Sequence, residues 1–349
     1  MDRPYQDELK TLYETYLVAS QWRTYLPNGV RKGVARGPGL FVGAGGSLVV
    51  AQLGAQLHEA LTGYLARALS PIEYLTSSVH VSGPLVIVSD SMSHPDIIYA
   101  LRRALDEYPS QVLLLTNRTE DQLAGLLGDR RVPIVSCPRP GRDGYIATNS
   151  VLSLSLGLIG LYTLGNLPPM NVFATWLGRW IEIDARNEDS IYLDTDQVLC
   201  VYTPDLRPAA MDLETRLAES GLGIVQLADI RNIGHGRHVG MALRSAQQGI
   251  VMLASKSWSG LAQATANLLP ETFAVKLWLS DALWPYSCLE MLIASFGFLG
   301  IRARRRQCDP GNPPVEEFGR ELFTLSLGDF LAERPSPRSS HREDDGCDG

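Results

Sequence analysis

The stretch Leu40-Phe41-Val42-Gly43-Ala44-Gly45-Gly46-Ser47 decides the fold class of this chain. Its three apolar residues predict a buried strand, its glycines predict a tight turn, and the apolar periodicity of residues 48–60 predicts a helix. A strand that enters a helix through a Gly-rich turn is typical of α/β proteins with a parallel sheet. The backbone N–H groups of such a turn can face an anion.

The same order of strand, loop and helix recurs along the chain. In the first half, apolar runs predict strands over residues 85–88, 112–115 and 132–135 and a helix over residues 96–105. In the second half, they predict strands over residues 198–202, 224–227, 250–253 and 273–277, and helices that contain residues 212–219 and 288–299. Short apolar strands between amphipathic helices predict an α/β fold with parallel sheets covered on both faces. The similarity of the two halves predicts an internal duplication.

Length and composition narrow the class of protein. A chain of 349 residues can hold two domains with sizeable cores. Its 45% hydrophobic and 20% charged residues are ordinary for a soluble globular protein. The net charge of −7 argues against a general binder of nucleic acid or of anionic membranes, because such proteins are usually basic. We therefore expect neither a nucleic-acid nor a membrane partner.

Three further features lead us to expect a cytoplasmic protein without a disulfide framework or a structural metal. The five cysteines are odd in number and no pair has CxxC spacing. The N-terminal residues lack the basic start and the continuous apolar stretch of a signal peptide. The most apolar segment, residues 151–167, is interrupted by glycines and is short for a membrane span, so it predicts a buried helix.

Two loops of the first half could hold an anion. The turn at Gly45, Gly46 and Ser47 opens a helix, but Leu48 stands where the dinucleotide-binding fingerprint needs a glycine, and a simple tight turn is the alternative. The loop of residues 89–96 follows the next predicted strand. It offers hydroxyl groups and an imidazole, which suit a phosphate at the carboxyl edge of a sheet, from Ser89, Ser91, Ser93 and His94. Helix N-capping is the alternative for these residues.

A third polar loop precedes the apolar helix. It contains Thr148, Asn149 and Ser150, whose side chains could contact a ligand. N-capping of the helix that follows is the favoured alternative, because such residues commonly satisfy the first N–H groups of a helix.

A Gly-rich turn in the second half concentrates positive charge. Residues 229–238 read Asp-Ile-Arg-Asn-Ile-Gly-His-Gly-Arg-His, and Glu219 lies sixteen residues before His235. These side chains are poor material for a core and good material for general acid–base work on an anion. Glu219 is placed near the end of its predicted helix, where a carboxylate opposes the helix dipole; a solvated surface residue is the alternative. His235 and His238 have HxxH spacing, but no acidic or Cys pattern completes a metal site, so we expect no metal.

Taken together, these motifs resemble the SIS (sugar isomerase) family, and in particular proteins with two tandem SIS domains. The resemblance covers roughly residues 12–327. Gly45-Gly46-Ser47 resembles the first Gly–Ser/Thr loop of the family, residues 89–96 the phosphate loop, and residues 147–150 the third loop, which closes over the sugar. Glu219 and His235-Gly236 have the order and spacing of the catalytic residues in the isomerase half of glucosamine-6-phosphate synthases.

The resemblance implies two flavodoxin-like, three-layer αβα domains, over residues 1–165 and 166–332, before a disordered Pro/Ser-rich tail at 333–349. It implies a homodimeric aldose–ketose isomerase without a cofactor, which acts on a phosphorylated sugar through an enediolate. Glu219 would be the base and His235 would assist ring opening. The implied ligand-binding residues are Gly45, Gly46, Ser47, Ser89, Ser91, Ser93, His94, Thr148, Asn149, Ser150, Arg231, Arg237 and His238.

Departures from the family pattern leave alternatives open. Met92 stands where the phosphate loop usually has glycine, and His94 where a hydroxyl residue is usual. No lysine follows Lys276, so a Schiff base on a C-terminal lysine is not supported. The alternatives are a deglycase or deaminase of amino-sugar phosphates, and a sensor that binds sugar phosphate without catalysis.

Overall fold

The computed structural model describes residues 3–21, 34–181 and 191–331. The chain divides into two compact units. Within the described ranges, the first-sheet unit contains residues 34–136 and 314–331, and the second-sheet unit contains residues 3–21, 137–181 and 191–313. The tail of residues 333–349, which the sequence predicts to be disordered, lies outside the described residues.

Among the described residues, nine strands are numbered in chain order. They are β1 (Gly39–Val42), β2 (Ala66–Leu69), β3 (Leu85–Ser89), β4 (Val112–Thr116), β5 (Ile134–Ser136), β6 (Gln197–Tyr202), β7 (Ile224–Asp229), β8 (Gln248–Ala254) and β9 (Ala274–Leu279). The α-helices are α1 (Tyr5–Lys10), α2 (Leu12–Ser20), α3 (Gly46–Thr62), α4 (Pro71–Thr76), α5 (Pro95–Glu107), α6 (Glu120–Leu127), α7 (Asn149–Tyr162), α8 (Met170–Trp180), α9 (Ile191–Asp194), α10 (Arg207–Ser220), α11 (Arg237–Leu243), α12 (Ser259–Asn267), α13 (Tyr286–Arg305), α14 (Glu317–Thr324) and α15 (Gly328–Leu331).

The first sheet is parallel throughout, with the strand order β2-β1-β3-β4-β5. Side chains alternate between its two faces. Val42 belongs to an apolar cluster with Ile97 and Leu101 of α5, whereas the neighbouring Phe41 has its ring edge against His58 of α3. Helices therefore cover both faces of the sheet, as the unbroken apolar strands predict.

The second sheet is also parallel, with the order β7-β6-β8-β9. All seven residues of β8 are buried. Helix α13 is long and apolar enough to cross a membrane, but 94% of its most apolar window is buried inside the protein, as in a core helix. Helix α7 is buried over residues 149–161, which confirms the buried helix predicted for the apolar segment.

Both sheets share one topological device. In each sheet, the strand that comes first in the chain lies between the second and the third. The chain therefore places its second strand on one side of the first strand and its third strand on the other side. The carboxyl ends of β1 and β3, and likewise of β6 and β8, therefore form switch points, where open α/β sheets bind ligands. The repeated order agrees with the predicted duplication.

The limits of the two units differ from the predicted division at residue 165. Helices α1, α2 and α7 belong to the second-sheet unit. Tyr5 N donates to Asp309 Oδ1 (2.9 Å), and Thr15 Oγ1 donates to Asn149 Oδ1 (2.6 Å). The order of strands along a sequence does not tell which sheet a neighbouring helix packs on, and here long-range contacts decide it.

Candidate functional site

The switch point of the first sheet holds the two loops that the sequence assigns to an anion. Val42 of β1 is paired with Ile87 of β3, so the loops that follow these strands are neighbours. Gly45 has φ +53° and Gly46 begins α3, with Ser47 in its first turn. A Cβ on Gly43 would come within 2.4 Å of Ser47 O, so this close turn requires glycine.

The serines of the second loop are engaged with one another and with the backbone. Ser89 Oγ accepts from Met92 N (3.1 Å), and the hydroxyls of Ser91 and Ser93 lie 2.7 Å apart. Met92 has φ +52°, a conformation in which glycine is usual, and its side chain is buried in the apolar cluster of the sheet. Met92 therefore adopts a backbone conformation that the resemblance predicts for a glycine at this position.

His94 is held on both ring nitrogens. Nδ1 accepts from Asp96 N (3.3 Å), and Nε2 lies 3.1 Å from Phe323 O in α14. The pairing of Nδ1 with an N–H group and of Nε2 with a carbonyl requires the tautomer that carries its proton on Nε2. Leu327 N also donates to Asp96 Oδ1 (3.0 Å), so the segment of α14 and α15 contacts this loop. Sequence reasoning missed this contact.

The third predicted loop is buried. Asp143 accepts from Thr148 N (3.1 Å), Asn149 N (3.1 Å), Ser150 N (2.8 Å) and Ser150 Oγ (2.6 Å). A carboxylate at the N-terminus of α7 satisfies its free N–H groups and complements the helix dipole. Thr148, Asn149 and Ser150 are at most 3% exposed, and their polar groups have partners within the unit. The carboxylate of Asp143 thus satisfies the first N–H groups of α7, whereas Thr148 at the N-cap position makes no side-chain capping bond, and a ligand role for the three side chains stays a prediction.

Glu8 of α1 adds a second carboxyl group to this loop. Its Oε1 accepts from Gly144 N (2.7 Å), and the residue is fully buried. Burial, together with the charge of Asp143, raises the pKa of Glu8 to about 8. A Cβ on Gly144 would come within 2.8 Å of Glu8 Oε1, which explains the glycine. At neutral pH this carboxyl group is largely protonated.

Arg216 of α10 joins the buried loop to the helix that carries Glu219. Its guanidinium donates to Asp212 Oδ2 (2.6 Å), Thr148 Oγ1 (3.1 Å) and Ala147 O (2.7 Å). It also lies 3.9 Å from the ring centroid of Phe296. The side chain is 2% exposed, so its charge depends on these partners.

Glu219 lies one turn beyond Arg216, near the end of α10. The residue is exposed, yet the surrounding protein desolvates its carboxylate. This desolvation raises the pKa of Glu219 to about 7; Arg216 opposes the rise, and Asp212 adds to it. A solvent-accessible carboxyl group that exchanges its proton near neutral pH has the properties of a general base.

The cationic turn after β7 is exposed and held by its backbone. Asp229 Oδ1 accepts from Arg231 N (2.7 Å), and Ile233 is buried beneath the turn. Gly236 has φ +92° and precedes α11, a conformation that glycine adopts without strain. In the part of the chain that the structure describes, four exposed side chains of this turn make no hydrogen bond or ion pair: Arg231, His235, Arg237 and His238.

The predicted site residues thus fall into two sets. The phosphate-loop residues lie in the first-sheet unit, and Glu219 with the cationic turn lies in the second-sheet unit. Among the described residues, no three His, Cys, Asp or Glu side chains form a group that could hold a metal ion.

Solved structures share this fold over most of the chain. The chain is similar to tagatose-6-phosphate ketose/aldose isomerase from Escherichia coli at 13% identity, with a TM-score of 0.68 and coverage of 90% of this chain and 98% of that chain. It is similar to glucosamine-6-phosphate deaminase from Thermotoga maritima at 15% identity, with a TM-score of 0.63 and coverage of 93% and 98%. It is similar to the C-terminal domain of glucosamine-fructose-6-phosphate aminotransferase from Francisella tularensis at 13% identity, with a TM-score of 0.63 and coverage of 89% and 98%.

No protein-family model and no curated protein sequence matches the chain. At 13–15% identity, the structural likeness shows the fold, which is the predicted α/β fold with mainly parallel sheets. This comparison does not show two tandem SIS domains, and that finer statement stays a prediction.

Proposed function

We propose that the protein is an aldose–ketose isomerase of a phosphorylated sugar. The observation that carries the proposal is Glu219, an exposed carboxyl group whose pKa is raised to about 7 and which precedes His235 by sixteen residues. The fold shared with a ketose/aldose isomerase of tagatose 6-phosphate supports the same class of reaction.

The proposed reaction moves one proton between neighbouring carbons. Ionised Glu219 removes the proton from C2 of the open-chain aldose, and the electron pair forms the C1–C2 double bond of an enediolate. Glu219 then returns the proton to C1 while the hydroxyl proton of O2 passes to O1, a transfer that His235 would carry, and the C2–O2 double bond of the ketose forms. A pKa close to the working pH suits a group that must accept and then release a proton.

The other predicted residues bind and prepare the sugar. Ser47 and the loop of residues 89–94 would hold the phosphate at the first switch point, with helix N-terminal N–H groups beside them. His235 would transfer the proton needed to open the ring. The cations of residues 231–238 would attract the anionic substrate.

Arg216 has a positioning part in this proposal. It fixes α10 to the buried loop, one turn before Glu219, and its positive charge restrains the rise in the pKa of that carboxyl group. In this proposal Arg216 sets the position and the pKa of Glu219, and it does not contact the substrate.

A deaminase of amino-sugar phosphates is the second candidate. The fold shared with glucosamine-6-phosphate deaminase favours it. The same proton transfer by Glu219 would precede loss of ammonia, so release of ammonia from an amino-sugar phosphate separates the two reactions. Binding of a sugar phosphate without its turnover would indicate the third alternative, a sensor that binds sugar phosphate without catalysis.

We propose a homodimer as the active form, in which the cationic turn of one copy serves the site of the other. An active monomer at micromolar concentration in analytical ultracentrifugation would contradict this part of the proposal.

The test first identifies a substrate and then compares its turnover by wild type and by Glu219→Gln. A thermal-shift screen of hexose and pentose phosphates identifies the ligand, and solvent deuterium incorporation next to the carbonyl carbon reports the proton transfer. We expect Glu219→Gln to lower kcat by about two to four orders of magnitude, the usual contribution of a general base. Wild-type kcat/KM should rise with pH through about 7 as Glu219 ionises.

Glu271→Gln is the matched control, because it removes an exposed carboxylate of the same unit. It should keep wild-type kcat. If Glu219→Gln turns over a verified substrate as fast as this control, the catalytic assignment is wrong and the sensor becomes the better hypothesis.

A further inference from the structure

The loop that follows β8 repeats the serine spacing of the loop that follows β3. Residues 255–259 read Ser-Lys-Ser-Trp-Ser, and residues 89–93 read Ser-Asp-Ser-Met-Ser. Each run stands at the carboxyl end of the third strand of its sheet, beside the first strand. The two runs therefore occupy equivalent switch points, and no part of the proposed reaction uses the second one.

Two neighbouring loops flank the run of residues 255–259, which we call the serine–tryptophan loop. Thr203 N donates to Leu253 O (3.0 Å) and Ser280 N donates to Ala254 O (3.0 Å), so the segments after β6 and β9 lie beside it. Residues 256–258 form a short 3-10 helix that leads into α12. The first N–H groups of such a turn have no partner within the helix.

Ser255 has a buried hydroxyl group that the fold leaves unsatisfied. The residue is 1% exposed, and its Oγ has no hydrogen-bond partner among the described residues. It occupies the N-cap position with an extended backbone, where a serine side chain stands over the first turn of the helix, yet it makes no capping bond. The equivalent hydroxyl of Ser89 is satisfied by Met92 N. A buried hydroxyl group without a partner is costly, so this one points to a group that the chain alone does not supply.

The residues that differ between the two loops make the second loop better suited to bind a sugar phosphate. Lys256 places a cation where the first loop has Asp90. Trp258 is 41% exposed, whereas Met92 is buried, so part of the indole is open to solvent in this loop. Asp205, which accepts from Thr203 Oγ1 (2.7 Å), brings a carboxylate acceptor on the adjoining loop. A cation with hydroxyl and N–H donors recognises phosphate, and an aromatic face with a carboxylate recognises a sugar ring and its hydroxyls.

We propose that the serine–tryptophan loop, with Thr203 and Asp205, binds a second sugar phosphate, whose phosphate contacts Lys256 and the serines and whose ring lies against Trp258. The chain then has two phosphate sites, one at the switch point of each sheet. This site is argued from the second-sheet unit alone, and it stands whether or not the protein is an isomerase.

Isothermal titration of the full-length chain with fructose 6-phosphate, and separately with inorganic phosphate, tests the proposal. We expect two sites per chain. The double variant Lys256→Gln/Ser257→Ala should lose one site, with affinity at least tenfold weaker, because charge-assisted hydrogen bonds are removed. Ser89→Ala/Ser91→Ala should lose the other site and keep this one. Trp258→Ala should weaken fructose 6-phosphate and leave inorganic phosphate unchanged, which separates a sugar phosphate from the free ion.

Lys10→Gln is the control for loss of an exposed lysine, and unchanged melting temperatures show that the variants fold. Two sites that persist in Lys256→Gln/Ser257→Ala, or a single wild-type site that only Ser89→Ala/Ser91→Ala removes, would overturn the proposal. Absence of binding by wild type would overturn it as well. The proposed isomerase fails separately, through unchanged turnover in Glu219→Gln.

Discussion

Residues 143–150 and residues 229–238 are two polar loops of the second-sheet unit, and each leads into a helix. Both begin with an aspartate that accepts hydrogen bonds from backbone N–H groups a few residues ahead: Asp143 from residues 148–150 and Asp229 from residues 231 and 232. The two aspartates accept the same kind of backbone hydrogen bond, but the other polar side chains of the two loops have different surroundings.

In the loop of residues 143–150, the polar side chains point to partners inside the protein, and Arg216 closes the arrangement from α10. In the loop of residues 229–238, Ile230 and Ile233 are buried in the apolar core, and the cationic groups remain exposed. A polar run before a helix is therefore equally compatible with a structural network and with a binding surface. The availability of the side chains to solvent distinguishes them, and the following variants test that distinction.

The largest effect is expected from Arg216→Met. Removal of the guanidinium leaves Asp212 as an uncompensated buried carboxylate, which costs about 3–5 kcal/mol of unfolding free energy. Urea denaturation measures the loss. Arg231→Met, on the exposed loop, should change the same free energy by less than about 0.5 kcal/mol. Equal losses in both variants would break the contrast between the loops.

A smaller effect is expected from Asp143→Asn. The amide cannot replace a carboxylate that accepts four hydrogen bonds at the start of α7, so the unfolding free energy should fall by about 2 kcal/mol. Asp229→Asn removes the matching charge from a solvated turn and should cost clearly less. Denaturation of the pair under one condition sharpens the comparison, and a larger loss for Asp229→Asn would reverse it.

A third expected effect is a dependence of stability on pH that belongs to the buried loop alone. The pKa of Glu8 is about 8 in the folded chain and about 4.5 in its unperturbed state, so the folded state holds the proton more tightly. The stabilising contribution is complete below about pH 4.5 and is lost as pH rises through about 8, by at most about 1.4 kcal/mol per pH unit.

Glu8→Gln should flatten the stability profile between pH 5 and 8.5, because its amide does not ionise. Asn232→Ala, which removes no titratable group from the exposed loop, should leave the profile of wild type intact. A wild-type profile that does not fall toward pH 8.5 would show that Glu8 is not held protonated by the fold.

Sequence patterns predict the parts of this fold that local chemistry specifies. Strands β3 and β4 are unbroken apolar runs and lie where expected. Strand β2 was missed because its four residues Ala66-Arg67-Ala68-Leu69 include a charged side chain and two alanines, which favour strands little, and are partly exposed at the edge of the sheet. Its strand character comes from pairing with β1, which the short run itself does not encode.

The candidate site shows the same limit. The raised pKa of Glu219 depends on the protein packed around it, and the spacing to His235 only makes it a candidate. The contact between His94 and Phe323 joins residues 229 positions apart, so no local pattern announces it. The sequence also does not predict that Thr148, Asn149 and Ser150 are buried, because capping residues and ligand-binding residues are of the same types.

The bond between Tyr5 N and Asp309 Oδ1 spans 304 residues, and it has a consequence for how the protein is made. At ribosomal rates of about 5–20 residues per second, α1 leaves the ribosome about 15–60 s before its partner exists. Residues 34–136, which form the first sheet, can collapse during this interval. Nascent α1 must wait with apolar residues such as Leu9 uncovered, so this segment is where a chaperone would act on the growing chain.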